Sequence, residues 1–181
     1  MTSYLGVDWG GSCWVVVEAG DTPAITTEPS ILNVWETHGK QADAILVDIP
    51  IGLPENCSRA CDREAKAHLQ DRGATVFSIP PRDVVETDDY NDARENNGGS
   101  LGSQSWWLFP RILEVDVFLQ AHEAARNRVY ESHPEVCFSM LEGTALRSKT
   151  DSEGIDARLE LLEDQPELHD KVEECVEKIR D

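Results

Sequence analysis

Three acidic residues of this chain stand where an apolar run breaks off. Between Ala44 and Pro54, residues Ile45, Leu46, Val47, Ile49 and Ile51 are apolar without a period of two, and Asp48 interrupts them. That pattern is expected of a strand buried on both faces of a sheet. A lone carboxylate in a dry core is costly, so Asp48 belongs at the strand's end or beside a cation. Pro50, Gly52 and Pro54 end the strand there, and open α/β sheets put ligands at that edge. Asp8 has the same setting, in Tyr4-Leu5-Gly6-Val7-Asp8 ahead of Gly10-Gly11-Ser12. If the two strands are neighbours, the carboxylates repel by ~4 kcal/mol at a spacing of about 4 Å and an effective dielectric of about 20. A divalent cation would offset that repulsion. The same residues also suit two unrelated turn or capping aspartates. A third stretch, Val129-Tyr130-Glu131-Ser132-His133-Pro134, again has apolar entry, acidic exit and proline.

The elements that would carry these residues follow from local pattern. Trp14 to Ala19 reads as a strand returning from the Gly10-Gly11 turn, so the chain opens with a hairpin. Asp21 to Ser30 reads as a polar loop, and Ile31 to Trp35 as a short third strand. Ser58 is the expected cap of a helix through Leu69, with Gly73 past its end. A short helix is expected over Asp88–Arg94. Asn96 to Ser105 is the most flexible stretch by composition, a connector more than a lid. Pro110 is expected to open a helix whose stripe is Ile112, Val115, Phe118 and Leu119. Pro134 should open another through Met140, and Gly154 to Leu162 a third. Leu168, Val172, Cys175, Val176 and Ile179 share one helical face, which runs to Asp181 without a capping glycine.

Composition narrows the classes. A chain of 181 residues suits one domain, residues 1–181, without internal repeats. No run nears the ~18 apolar residues of a transmembrane helix, and the N-terminus enters a strand directly, without a signal-peptide pattern. The five cysteines, Cys13, Cys57, Cys61, Cys137 and Cys175, form no even framework, so reduced thiols and a cytoplasmic setting are expected. Cys57 and Cys61 have helical spacing, but no second pair completes a zinc site. Thirty-five acidic residues against 16 basic give a net charge of −19, and only five of the basic residues are lysine. With 40 % hydrophobic residues in patterned runs, this is not the composition of disorder. It fits a halophile, whose salt shortens the Debye length to ~3 Å or less. The alternative is an ordinary acidic protein.

The motifs in order are Gly6-Val7-Asp8-Trp9-Gly10-Gly11, Val47-Asp48-Ile49-Pro50-Ile51-Gly52-Leu53-Pro54, then Arg59, Cys61, Asp62 and Ala65 together, and Pro80-Pro81-Arg82. Gln104, Trp107, Pro110-Arg111-Ile112 and Val115-Asp116 follow, then Tyr130 to Phe138 and Ser148-Lys149. Taken together, residues 4 to 162 resemble the "domain of unknown function 429" family, whose members are predicted to be ribonuclease H-like nucleases. The resemblance implies an α/β fold, a five-stranded mixed sheet with helices on both faces. It also implies two Mg²⁺ or Mn²⁺ ions held by Asp8 on the first strand, Asp48 on the fourth and Glu131 on the fifth. Asp156 is the candidate for a fourth ligand. A further Asp-rich helix is expected of the family near the end, so the sequence reads as truncated at its C-terminus. On this reading Asp8, Asp48, Glu131 and His133 are catalytic, His133 as a proton shuttle. Arg82, Arg111 and Lys149 are the candidates for holding the phosphates of a nucleic-acid substrate. Asp8 with Gly10-Gly11-Ser12 also resembles the first phosphate loop of the sugar-kinase and actin-like superfamily, which implies ATP as the ligand. The third reading is a non-catalytic interaction domain of the same fold.

Overall fold

The structure, a computed structural model, describes residues 3–20, 22–56, 58–163, 168–170 and 172. Asp21, Cys57, Cys175, Val176, Ile179 and Asp181, named above, lie outside the described residues. The chain divides into two compact units, one made of 1–48 and 128–181, the other of 49–127.

The first unit is built on a five-stranded sheet: β1 (Tyr4–Trp9), β2 (Trp14–Ala19), β3 (Ala24–Glu28), β4 (Ala44–Val47) and β5 (Val129–Glu131), in the order β3-β2-β1-β4-β5. β2 is antiparallel to β1 and β3, while β4 is parallel to β1 and β5. This is the mixed α/β sheet of the ribonuclease H-like fold that the sequence anticipated. Alternation is clean in β1 and β4: Leu5, Val7, Ile45 and Val47 are buried, and Tyr4, Gly6, Asp8 and Leu46 are exposed. Trp14 and Val16 of β2 are buried completely.

The third strand is not Ile31 to Trp35 but Ala24–Glu28. Ile25, Thr26 and Thr27 are β-branched, and their backbone completes a ladder along β2. Ile31–Val34 forms α1 instead, because the Ser30 hydroxyl accepts the Asn33 N–H at 3.1 Å and caps a helix. The helix widens into a π turn over Trp35–Gly39, and Ile31, Val34 and Trp35 bury their side chains. After β5 come α7 (Pro134–Glu142), ended by Gly143 at φ 81°, and α8 (Ser152–Glu160).

The second unit is helical: α2 (Ala60–Leu69), a 3₁₀ turn (Gln70–Thr75), α3 (Arg82–Val85), α4 (Tyr90–Asn96), α5 (Ser103–Ala121) and α6 (Glu123–Arg126). Ser58 does not cap α2. Arg59 holds that position, and Ser58 instead accepts from Arg63 through its carbonyl and hydroxyl at 2.7 and 3.1 Å. Arg59 also donates to the Ile51 carbonyl at 2.9 Å and pairs with buried Asp62, which ties the Pro-rich loop to the helix. Pro110 lies inside α5 rather than opening it. The helix starts seven residues earlier, where Trp106 packs edge-on against both Tyr90 and Phe109. Aromatic packing there outweighs the local cost of the proline.

Candidate functional site at the ends of strands β1 and β4

Val7 of β1 is paired with Val47 of β4, so the next residues, Asp8 and Asp48, are level on adjacent parallel strands. The Asp48 N–H donates to the Val7 carbonyl at 2.9 Å and carries the ladder one step past the end of β4. Pro50 then stops it. Both aspartates project to the same face, opposite buried Val7 and Val47. The sequence expectation that Asp48 terminates a central strand and neighbours Asp8 is therefore met.

Burial, and then the charge of Asp8, push the Asp48 carboxyl up to about 6 from its ordinary value of 3.8. Glu131 adds a smaller push in the same direction, while His133 and Lys149 pull the other way. Asp8, Glu131, His133 and Lys149 therefore all lie within electrostatic reach of Asp48, although the members of the group are separated by up to 141 residues of chain. Three carboxylates face one lysine and one histidine, so the cluster is short of positive charge.

Its members are not equivalent. Glu131 is paired with Val47, one residue before Asp48, and that row faces away from Asp8 and Asp48. Its effect on Asp48 is accordingly the weakest of the four charges. Among the described residues, no three His, Cys, Asp or Glu side chains converge as a metal-binding group. Asp156 is exposed on α8 and is not among the groups that shift Asp48. In the second unit, the Arg82 guanidinium donates to both carboxylate oxygens of Asp116, at 2.8 and 3.1 Å, and to Glu86 at 3.1 Å. Its hydrogen bonds to Asp116, then to Glu86, hold its pKa above the ordinary arginine range. Arg111 pairs with Glu114 at 2.5 Å.

Lys149 is held by residues that sequence reasoning missed. Its loop turns through Ser148, whose carbonyl accepts the Asp151 N–H at 3.0 Å and whose hydroxyl lies 2.9 Å from that of Thr150. The loop is pressed onto the first turn of α8 at Gly154. A Cβ there would overlap the Ser148 carbonyl oxygen and stand 3.0 Å from the Arg147 oxygen. Arg158, one turn on, donates to the Arg147 carbonyl at 3.0 Å and pairs with Glu135 of α7 at 2.7 Å. Its guanidinium also lies over the Phe138 ring, 5.4 Å from the centroid. Glu135 and Arg158 are 23 residues apart, a separation with no local signature. The only sequence signal was a glycine just inside a predicted helix.

Among the described residues no helix is long and apolar enough to cross a membrane. Cys13, Cys61 and Cys137 are thiols rather than disulfides. No curated protein and no solved structure matches the chain. The family model described as "Protein of unknown function (DUF429)" matches residues 6–180, nearly the whole length, and the chain belongs to that family.

Proposed function

We propose that the chain hydrolyses phosphodiester bonds of nucleic acid with the help of Mg²⁺ or Mn²⁺ held by Asp8 and Asp48. The observation that carries this reading is the surplus of carboxylate at two adjacent strand ends, with Asp48 raised to about 6 by burial and by Asp8. Perturbed carboxylates cluster where charge is to be handled. The donor set fits the ions, because hard oxygen ligands suit Mg²⁺ and Mn²⁺. Mg²⁺ is often held by one or two carboxylates, with water and substrate phosphate completing its shell. Glu131 stands on the row that faces away from this pair, so Asp8 and Asp48 are the two protein ligands of this reading. Bound there, the ions would acidify a water to the nucleophile and neutralise charge on the leaving oxygen.

The chain's own residues do the remaining work. Asp8 and Asp48 share one face of the sheet and define where the reacting phosphate sits. Lys149, on its clamped loop, supplies a donor for a non-bridging phosphate oxygen. His133, the residue before α7, is the candidate for holding or returning a proton at its imidazole.

Unfolding midpoints with and without Mn²⁺ test the metal site. Wild type should be stabilised by the ion, and Asp8→Asn and Asp48→Asn should lose that shift while remaining folded. Equal shifts in all three proteins remove both residues from the site. Cleavage of labelled single strands and duplexes in Mn²⁺ tests the chemistry. Stabilisation by ATP without any such cleavage would replace the nuclease with a nucleotide-binding protein.

A further inference from the structure

The site lies at the end of an exposed row on the same sheet face. Gly6 of β1 is paired with Leu46 of β4, and Leu46 with Tyr130 of β5. The three form one line across parallel strands, spanning about 10 Å. Asp8 and Asp48 lie two residues further along β1 and β4, about 7 Å on, and alternation puts them on this face. The buried residues Leu5, Val7, Ile45, Val47 and Val129 face the other way.

Gly6 and Leu46 of this row lie on interior strands of the sheet, and Tyr130 lies on the edge strand β5. Leu46 is 44 % exposed and Tyr130 51 %, although β4 is flanked by strands on both sides. Strands of parallel sheets are ordinarily covered on both faces. Beside Leu46, a Cβ added to Gly6 would meet nothing within 4 Å, so the glycine leaves a flat, open floor. The row is apolar and aromatic and carries no charge, in a chain of net charge −19. Such a chain attracts no polyanion through its overall field, so a nucleic acid must be held by contacts that do not depend on that field. Stacking of a base on an aromatic ring is such a contact, and it requires a base whose face is not already covered by its neighbours in a duplex stack.

We propose that the Gly6–Leu46–Tyr130 row is a platform for an unpaired nucleobase. The substrate is then single-stranded where it crosses the sheet, its base on Tyr130 and Leu46 and its phosphate towards Asp8 and Asp48. The proposal rests on the nuclease reading for its substrate class. It differs in naming the strand form and the residues that read it.

The test is anisotropy binding of a short fluorescein-labelled oligodeoxyadenylate to the full chain, without divalent ions and across a salt series. The same strand annealed to its complement is the comparison. Wild type should bind the single strand more tightly than the duplex. Tyr130→Ala should lose about tenfold or more in affinity, and Tyr130→Phe should stay within about twofold of wild type. Gly6→Leu, which fills the floor without touching Tyr130, should weaken binding as Tyr130→Ala does. Retained single-strand preference and Tyr130 dependence without cleavage in Mn²⁺ would leave the platform standing and remove the nuclease. Cleavage in Mn²⁺ with a KM unchanged by Tyr130→Ala would do the reverse. Tighter binding of the duplex, or no binding of either form at any salt, overturns the platform. So does a dimer in sedimentation that Tyr130→Ala dissociates, because a second copy would then be the occupant.

Discussion

The environment of Asp48 departs far from that of a free carboxylate, and its effect on stability has a definite sign. Its carboxyl is raised from 3.8 to about 6 by burial and by Asp8, so the folded chain takes up this proton more readily than the unfolded chain. Stability therefore falls as pH rises from about 4 to about 6, and the full penalty is present above that window. A shift of this size corresponds to an upper bound of about 3 kcal/mol. In chelator, Asp48→Asn should be more stable than wild type at pH 7, by on the order of 1–3 kcal/mol. It should also lose the downward slope between pH 4 and 6. Urea midpoints over that range measure both effects, and an unchanged slope in the variant would assign the titration to another group. Saturating Mn²⁺ should reverse the ranking at pH 7, because only wild type keeps both carboxylates.

Two elements carry their own tests. The loop bearing Lys149 depends on contact between the first turn of α8 and the Ser148 carbonyl, and no side chain fits between them. Gly154→Ala gains helix propensity of about 1 kcal/mol but must push the loop away, an overpacking cost of about 1–3 kcal/mol. The net effect should be destabilising. Weakened phosphate binding at Lys149 should accompany it, read as a salt slope of binding shallower by nearly one unit. A variant as stable as wild type with the same slope would show that the loop is not held at Gly154. In α5, Pro110 is exposed and inside the helix, where proline costs about 3 kcal/mol against alanine. The unfolded-state benefit of proline is only about 0.4–1 kcal/mol. Pro110→Ala should therefore raise the urea midpoint, and a fall would mean that Pro110 itself positions the aromatic cluster of Tyr90, Trp106 and Phe109.

At the scale of the whole molecule, charge dominates. Thirty-five acidic residues against 16 basic repel one another most strongly when ions are scarce. Ion pairs such as Arg82–Asp116, Arg158–Glu135 and Lys40–Glu36 engage several of the cations and leave most acids uncompensated. Raising KCl shortens the Debye length from about 10 Å at 0.1 M to about 3 Å at 1 M, which removes most of the long-range repulsion. The denaturation midpoint should therefore climb steeply with KCl over this range, as expected of a halophile's protein. A midpoint independent of KCl would mean that the acidic surface is adapted to something other than salt.

Periodicity and punctuation in the sequence were enough to place the catalytic candidates on strands. An apolar run broken by an acid and then proline marks a strand end whatever surrounds it, so β1, β4, β5 and the ends carrying Asp8, Asp48 and Glu131 were legible. Ser30 was legible in principle too: Ile31-Leu32-Asn33-Val34-Trp35 spaces its apolar residues as a helix does rather than alternating, and Ser30 caps that helix by accepting the Asn33 N–H. The start of α5, by contrast, was hidden. Proline is a strong local signal, and the packing of Trp106 on Tyr90 and Phe109 that overrides it is not local. Register belongs wholly to the tertiary structure. That Asp8 and Asp48 share a face, that Glu131 stands one residue back on the other, and that Arg158 reaches Glu135 to fix the Lys149 loop all depend on pairings between distant segments. No spacing along the chain encodes those pairings, because each is the lowest-energy outcome of burying Leu5, Val7, Ile45, Val47 and Val129 on a single face.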